Sequence, residues 1–436
     1  MDLNKTPRLL VMMFIQYFMQ GAWNMTMGLV LSTYGMATII GSSYALLGLA
    51  TILSPLFIGM VADRFFSSQK VMAILHLINA GVLLFVPQFI EAQNTGMTLT
   101  MIFLVGLLFY PTTALANSIS FSHINGVKYF PFIRVFGTFG FMVIGFIIGE
   151  MGYSGNTITW YIASASGVVL GLYCFTLPNT PPKAKGSVFT LRDLLCLDAL
   201  ALFKDRSFSV LMLSIFVLMI PKTAYSAYIP VFLKALGFDN AASMMQVGIA
   251  CEVIFMFLLS FFLLKAGFKI TLMLGAVCWI IRTLLFAHAS LDANMMFVLI
   301  GLMLQGFCWD FFFTVGDIYV DRKAAPEIKA QAQSLRFIVS NGVGLLFAST
   351  VCGQIFNSTV TEQGPQALPQ WETFWLVSAG VAAMGNILAS FRRRCRSGQR
   401  ILPDILPGRY FKTQSRPPIE KSKLLIVKDS FIKVIA

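Results

Sequence analysis

Twelve apolar runs, each close to the length an α-helix needs to cross a bilayer, succeed one another along this chain and leave few alternatives for its fold. They lie at 9–31, 39–62, 71–90, 98–118, 132–152, 157–177, 208–233, 243–264, 270–290, 295–319, 334–356 and 371–391, closed by charge, proline or glycine clusters. A spanning helix takes about 20 apolar residues. Backbone groups in hydrocarbon must be satisfied within the segment, so runs of this length are helices. A membrane β-barrel would need short alternating segments, which are absent. The run after Arg8 is long and lacks an Ala-x-Ala cleavage site, so it is expected to stay as the first span. Composition agrees: 57% of the 436 residues are hydrophobic and only 12% charged, whereas a soluble domain carries roughly a quarter charged residues.

The net charge of +13 suggests a nucleic-acid partner until it is located along the chain. Residues 1–391 hold 20 Lys and Arg against 16 Asp and Glu, and residues 392–436 hold 12 against 3. The excess therefore follows the last apolar run, where basic residues act as cytoplasmic topology determinants and contacts for anionic lipid, and no nucleic acid is implied. With the N-terminus inside, the cytoplasmic connectors hold Lys5, Arg8, Arg64, Lys70, Lys128, Lys183, Lys185, Arg192, Lys204, Arg206, Lys265, Lys269, Arg322, Lys323 and Lys329, and the opposite side holds only Lys234. This asymmetry predicts a multi-pass membrane protein with both termini cytoplasmic. The seven cysteines have no paired spacing and read as small core hydrophobes.

The longest connector falls at the midpoint, where Pro178, Pro181 and Pro182 precede a basic stretch and an amphipathic pattern from Leu194 to Phe203. It divides the chain into an N-terminal six-helix half at 1–177, a cytoplasmic linker at 178–206, a C-terminal six-helix half at 207–392 and a basic tail at 393–436. The expected fold class is all-α integral membrane. With Pro403, Pro407, Pro417 and Pro418 after its arginines, the tail reads as a flexible extension.

Between the second and third runs stand Gly59, Asp63 and Arg64, followed by Lys70. They resemble the Gly-x-x-x-Asp-Arg loop signature of the major facilitator superfamily. Gly59 would permit close helix approach, and Asp63 could make a contact in one access state and break it in the other. A narrower resemblance lies in further blocks: Gln20 to Trp23; Tyr110 to Thr112 with Asn117 to Ser120; Phe130 to Gly140; Leu197 to Ala199 with Leu202 to Lys204; Trp279 to Arg282; Trp309 to Phe312; and Ala330 to Gln333. Over about residues 8–392 the chain is similar to the nucleoside:proton symporter family of that superfamily. The resemblance implies the major facilitator fold of twelve transmembrane helices in two six-helix halves. It implies a small-molecule substrate, a nucleoside, imported by proton symport through alternating access. The proton gradient is then the driving force, and no cofactor, no metal and no enzymatic reaction are expected. A monomer in contact with membrane lipids is expected.

Alternating-access carriers bind substrate near the bilayer midplane between the halves, where ionisable groups are expensive enough to be functional. Asp310 lies about half-way along the tenth run, where a carboxylate could take up and release a proton. The resemblance gives it the proton-coupling role; a carboxylate permanently paired with a packing Arg is the alternative. Glu252 resembles the family's substrate-contacting Glu and could accept hydrogen bonds from ribose hydroxyls; pairing with Arg282 or Lys222 is its alternative. Arg134 and Thr138 sit one turn apart and match substrate positions, although Arg134 could instead snorkel to head groups. Trp309 matches an aromatic position on which a nucleobase would stack, or it is plain packing.

The departures bear on specificity. Gln305 stands where the family has Tyr, Thr223 and Ser226 replace Gln and Asn contacts, and Ile249 replaces a Gln. Short hydroxyls cannot make the bidentate amide contacts that read a base edge, so another hydroxylated solute such as a sugar is the alternative substrate. Asp317 reads as a partner of Arg322 or Arg336, or as a further proton step. His76 reads as a hydrogen-bonded packing residue, and no nucleotide-phosphate loop or nucleophile–base arrangement is visible.

Overall fold

The computed structural model describes residues 6–54, 66–124, 126–181, 196–325 and 328–390. Thirteen helices carry the chain: α1 (Thr6–Asn24), α2 (Met27–Thr33), α3 (Ile40–Ser54), α4 (Ser68–Glu91), α5 (Thr95–His123), α6 (Gly126–Glu150), α7 (Ile158–Cys174), α8 (Arg206–Ala235), α9 (Ala241–Lys265), α10 (Gly267–Asp292), α11 (Met295–Lys323), α12 (Gln331–Thr359) and α13 (Leu368–Ser390). Among the described residues nine helices are long and apolar enough to cross a membrane. The broken pair α1–α2, the shorter α7 and α13 complete twelve spans.

The described helices follow the apolar runs with three differences, and residues 55–62 of the second run lie outside the described residues. The first run is not one helix, because the chain bends at Met25 and Thr26 between α1 and α2. α11 and α12 are interrupted by π-helical turns at Trp309–Thr314 and Ile338–Gly344; an extra residue in a turn re-aims the side chains around it, which apolar periodicity does not reveal. Of the amphipathic pattern in the linker, Cys196–Asp198 form a turn and Ala199–Lys204 a 3-10 helix, and the rest lies outside the described residues. Five of the six described cysteines are buried, Cys251 is partly so, and all six are free.

Helix starts follow local chemistry: Asn94 accepts from the Met97 amide at 3.1 Å, and Asp205 accepts from the Ser207 and Phe208 amides. The Lys323 ammonium, 2.7 Å from Asp205, holds that carboxyl below the usual carboxylate range and ties the start of α8 to the end of α11. Side chains such as Phe257, Ile254 and Leu172 stay exposed although large and apolar, as expected of surfaces that meet lipid rather than water. Inside, Trp279, Phe286, Trp371 and Trp375 form the aromatic core of the C-terminal helices.

Helix packing divides the same way. α1 lies on α6 and α7, and α4 on α5 and α7, while α10 and α8 both lie on α13. The two sets meet through α2 with α8, α3 with α12, and α6 with α9. Four described hydrogen bonds cross between them: the Ala242 amide donates to Ser154 Oγ, Ser243 to the Phe146 carbonyl, Gln246 to Met25, and Asn357 to the Thr38 carbonyl. All four lie at the end of the bundle that carries the 151–157 and 236–240 connectors. Contact there needs residues without a side chain. A Cβ on Gly28 would lie 2.1 Å from the Ala227 carbonyl oxygen, and one on Gly41 would lie 2.5 Å from the Gly353 Cα.

Overpacking of this kind costs about 1–3 kcal/mol, so Gly28→Val shifts the population of this closed end by about 5- to 150-fold. Spin labels at the exposed Met151 and Asn240 report the shift as a longer inter-label distance. An unchanged distance distribution would show that the glycine contact does not hold the end shut.

Candidate functional site

The site forms where α8, α9, α10 and α11 converge. Arg282, midway along α10, is fully buried. Its guanidinium centre lies 3.4 Å from the ring centroid of Tyr225 on α8, and its Nη1 donates to Gln305 Oε1 at 2.6 Å. Arg suits such a position because its weakly hydrated plane can stack on an aromatic face. The other end of the Gln305 amide donates to Glu252 Oε2 at 3.3 Å. Gln305 therefore stands between the cation and the carboxylate, and the direct Glu252–Arg282 pair weighed from the sequence does not form. The adjacent Trp279 donates its indole N–H to the Cys308 carbonyl at 3.1 Å and anchors α10 to α11 at this level.

One turn on, the π-helical segment of α11 carries Trp309 and Asp310. Asp310 has no exposed surface; its Oδ1 accepts from Thr314 Oγ1 at 3.3 Å, and its Oδ2 is buried without a hydrogen-bond partner. No cation lies within ion-pairing distance of it among the described residues, so the permanently paired alternative finds no partner here. The half-buried Trp309 has the Lys222 ammonium 4.6 Å from its ring centroid. Lys222 also lies 5.2 Å from the Phe313 ring and donates to Asn341 Oδ1 at 3.3 Å.

The remaining candidates divide. Thr223 Oγ1 is buried without a partner, whereas Ser226 Oγ donates to the Lys222 carbonyl of its own helix at 3.0 Å. On the N-terminal side Arg134 is exposed on α6, its guanidinium 4.1 Å from the Tyr17 ring, and Thr138 is half-buried one turn further. Glu252 lies within electrostatic reach of both Arg134 and Arg282, which brings candidates from the two halves toward one space. Gly59, Asp63 and Arg64 lie outside the described residues. Asp317 is ion-paired with Arg336, one of the two partners anticipated. Gln333 donates to the Asp317 carbonyl and Gln331 to Asp198, so two of the resemblance blocks make packing contacts at one end of the C-terminal half. His76 is fully buried beside Phe109 with neither ring nitrogen bonded, not the hydrogen-bonded residue expected.

Three residues of this cluster escaped the sequence reading as site members: Arg282, Lys222 and Asn341. A cation inside an apolar run was a visible signal for the first two. Nothing marked Asn341, whose role depends on which helix faces α8.

Twelve spanning helices in two halves, with a buried carboxylate and a charged polar relay inside the C-terminal half, define a proton-coupled secondary transporter of the major facilitator type. The chain belongs to the nucleoside H+ symporter family, whose profile matches residues 3–396. It is 35% identical over 398 residues to YegT of Escherichia coli (strain K12), covering 88% of this chain and 92% of that protein. It is 29% identical over 408 residues to the nucleoside permease NupG of the same organism, covering 88% and 94%. A crystal structure of the nucleoside transporter NupG shares its fold with a TM-score of 0.78 at 26% identity, covering 89% of this chain and 98% of that one.

Proposed function

We propose that this protein imports nucleosides across a bacterial inner membrane by proton symport, with Asp310 as the proton carrier. The observation that carries the reading is the unpartnered Oδ2 of a fully buried carboxylate. A charge there is expensive, and no neighbouring cation offsets it, so proton uptake and release at Asp310 changes the energy of the cavity more than at a paired group. Glu252 on α9 and Asp310 on α11 stand on helices that pack together, so a substrate that engages Glu252 also changes the cost of charging Asp310; that is the coupling a symporter needs. Glu252 accepts substrate hydroxyls, Arg134 and Thr138 close the site from α6, and Trp309, with Gln305 behind it, offers the stacking face. Thr223 and Ser226 line α8.

In this reading both termini are cytoplasmic, the protein acts as a monomer, and the basic tail contacts anionic lipid. The two six-helix halves, 1–177 and 207–392, rock about the site, and Gly59, Asp63 and Arg64 make the contact that changes between states. The glycine contacts at the opposite end then close the outer side, leaving the site to the cytoplasm.

The test is uptake into proteoliposomes with an imposed inward proton gradient, using labelled uridine, adenosine and a panel of sugars. Nucleoside accumulation that vanishes when the gradient is dissipated is expected. Accumulation of sugars alone would move the assignment to another hydroxylated solute, and no accumulation of any solute would overturn transport.

A further inference from the structure

Lys222 lies midway along α8, where an ammonium is costly. Its neighbours on every side are accounted for. Trp309 and Phe313 of α11 present ring faces, and Asn341 of α12 accepts one hydrogen bond through Oδ1 while its amide donates to Ser340 Oγ at 3.0 Å. Among the described residues no carboxylate lies within 4.0 Å; Arg336 and Asp317, ion-paired with each other, both act on Lys222 from further away. An ammonium has three donors and no acceptor, so two donors are left for a ligand.

We propose that Lys222 reads the base edge of the substrate and makes the transporter favour nucleosides that present a ring carbonyl over those that present an amino group in its place. The inference rests on the nucleoside reading above. An amide side chain on α8 would offer both a donor and an acceptor and would suit either kind of edge. Here Ser226 spends its hydroxyl proton on the helix backbone, and Asn341 spends its acceptor on Lys222. The hydrogen-bond donor that remains unspent on this face next to Trp309 is the Lys222 ammonium, which offers no acceptor. A base beside Trp309 that turns a carbonyl toward Lys222 gains a charge-assisted hydrogen bond. An amino group in the same place sets donor against donor and loses its own hydration, which is discrimination by repulsion as well as attraction.

Matched pairs test the effect: uridine and cytidine differ at C4 of the pyrimidine, and inosine and adenosine at C6 of the purine, with the adjacent ring nitrogen protonated only in uridine and inosine. Equilibrium binding to the purified full chain is expected to favour uridine over cytidine and inosine over adenosine by about tenfold or more. Lys222→Gln restores an acceptor and brings both ratios to within about threefold, whereas Lys222→Arg keeps the preference because it remains a donor-only cation. Lys222→Met, which removes the donor without leaving an unpaired polar group, serves if the Gln variant does not fold. Equal binding within both pairs in the wild-type protein overturns the proposal, as does a preference that survives Lys222→Gln or Lys222→Met. Absence of any nucleoside binding is a different failure, since it removes the nucleoside reading itself.

Discussion

Asp310→Asn is expected to abolish proton-driven accumulation while the protein still folds and binds its substrate. The amide keeps the size of the carboxyl and can still accept from Thr314, but it cannot change charge. A site that never releases a proton leaves the gradient with no differential hold on the two access states, and a ligand without differential affinity shifts no equilibrium. The surroundings also say why folding survives: the buried Arg282 directs its hydrogen bond to Gln305, so neutralising Asp310 strands no cation. Two measurements on one purified variant decide the matter, substrate affinity and uptake under an imposed pH gradient. Normal pH-driven accumulation in the variant would remove Asp310 from the mechanism. A loss of folding would return it to a structural role.

The second large effect belongs to Gln305, whose amide joins Arg282 to Glu252. Gln305→Leu keeps the volume and removes both hydrogen bonds. Arg282 would then lose its one strong acceptor, because its Nε and Nη2 are already without partners and what remains around it is aromatic rings with the Tyr225 hydroxyl and the Cys308 thiol. Stranding a buried charge in this way costs about 3–5 kcal/mol. Glu252 loses the donor that orients it, and a charged hydrogen bond to substrate worth about 1.5–3 kcal/mol is lost with it, so the dissociation constant rises roughly 10- to 100-fold. Thermal unfolding in detergent and substrate titration read the two effects separately. Gln305→Glu sharpens the result, because it keeps an acceptor for Arg282 but sets a carboxylate against Glu252; stability is regained in part and affinity is not. Unaltered unfolding and affinity in Gln305→Leu would mean that the relay holds nothing.

How much of this was legible beforehand differs from residue to residue. Asp310 and Glu252 stood out because a carboxylate in the middle of an apolar run has no water-facing explanation. The neighbours of Asp317 were legible for a simpler reason: only a few cations lie close enough in the chain to reach it, and Arg336 is one of them. The partner of Arg282 was not. From spacing alone the natural guess was a direct pair with Glu252, and the neutral Gln305 between them is visible only once α9, α10 and α11 are side by side. Lys222 was weighed only as a partner for Glu252, because its attachment to Trp309, Phe313 and Asn341 joins three separate helices.

By itself the sequence determined that this protein is a bundle of twelve membrane helices, since apolar length and backbone satisfaction in hydrocarbon are local properties that need no knowledge of neighbours. Family membership was likewise readable, from short blocks that keep their order along the chain. Only the tertiary structure decided that α11 and α12 pass through π-helical turns, that the two halves meet through glycines at one end, and that an amide bridges the central Arg and Glu. Each of these depends on which faces of distant helices come together. A hydrocarbon solvent drives every apolar face inward or outward alike, so helix packing there is selected by close steric fit and a few buried polar contacts, which hydropathy does not encode.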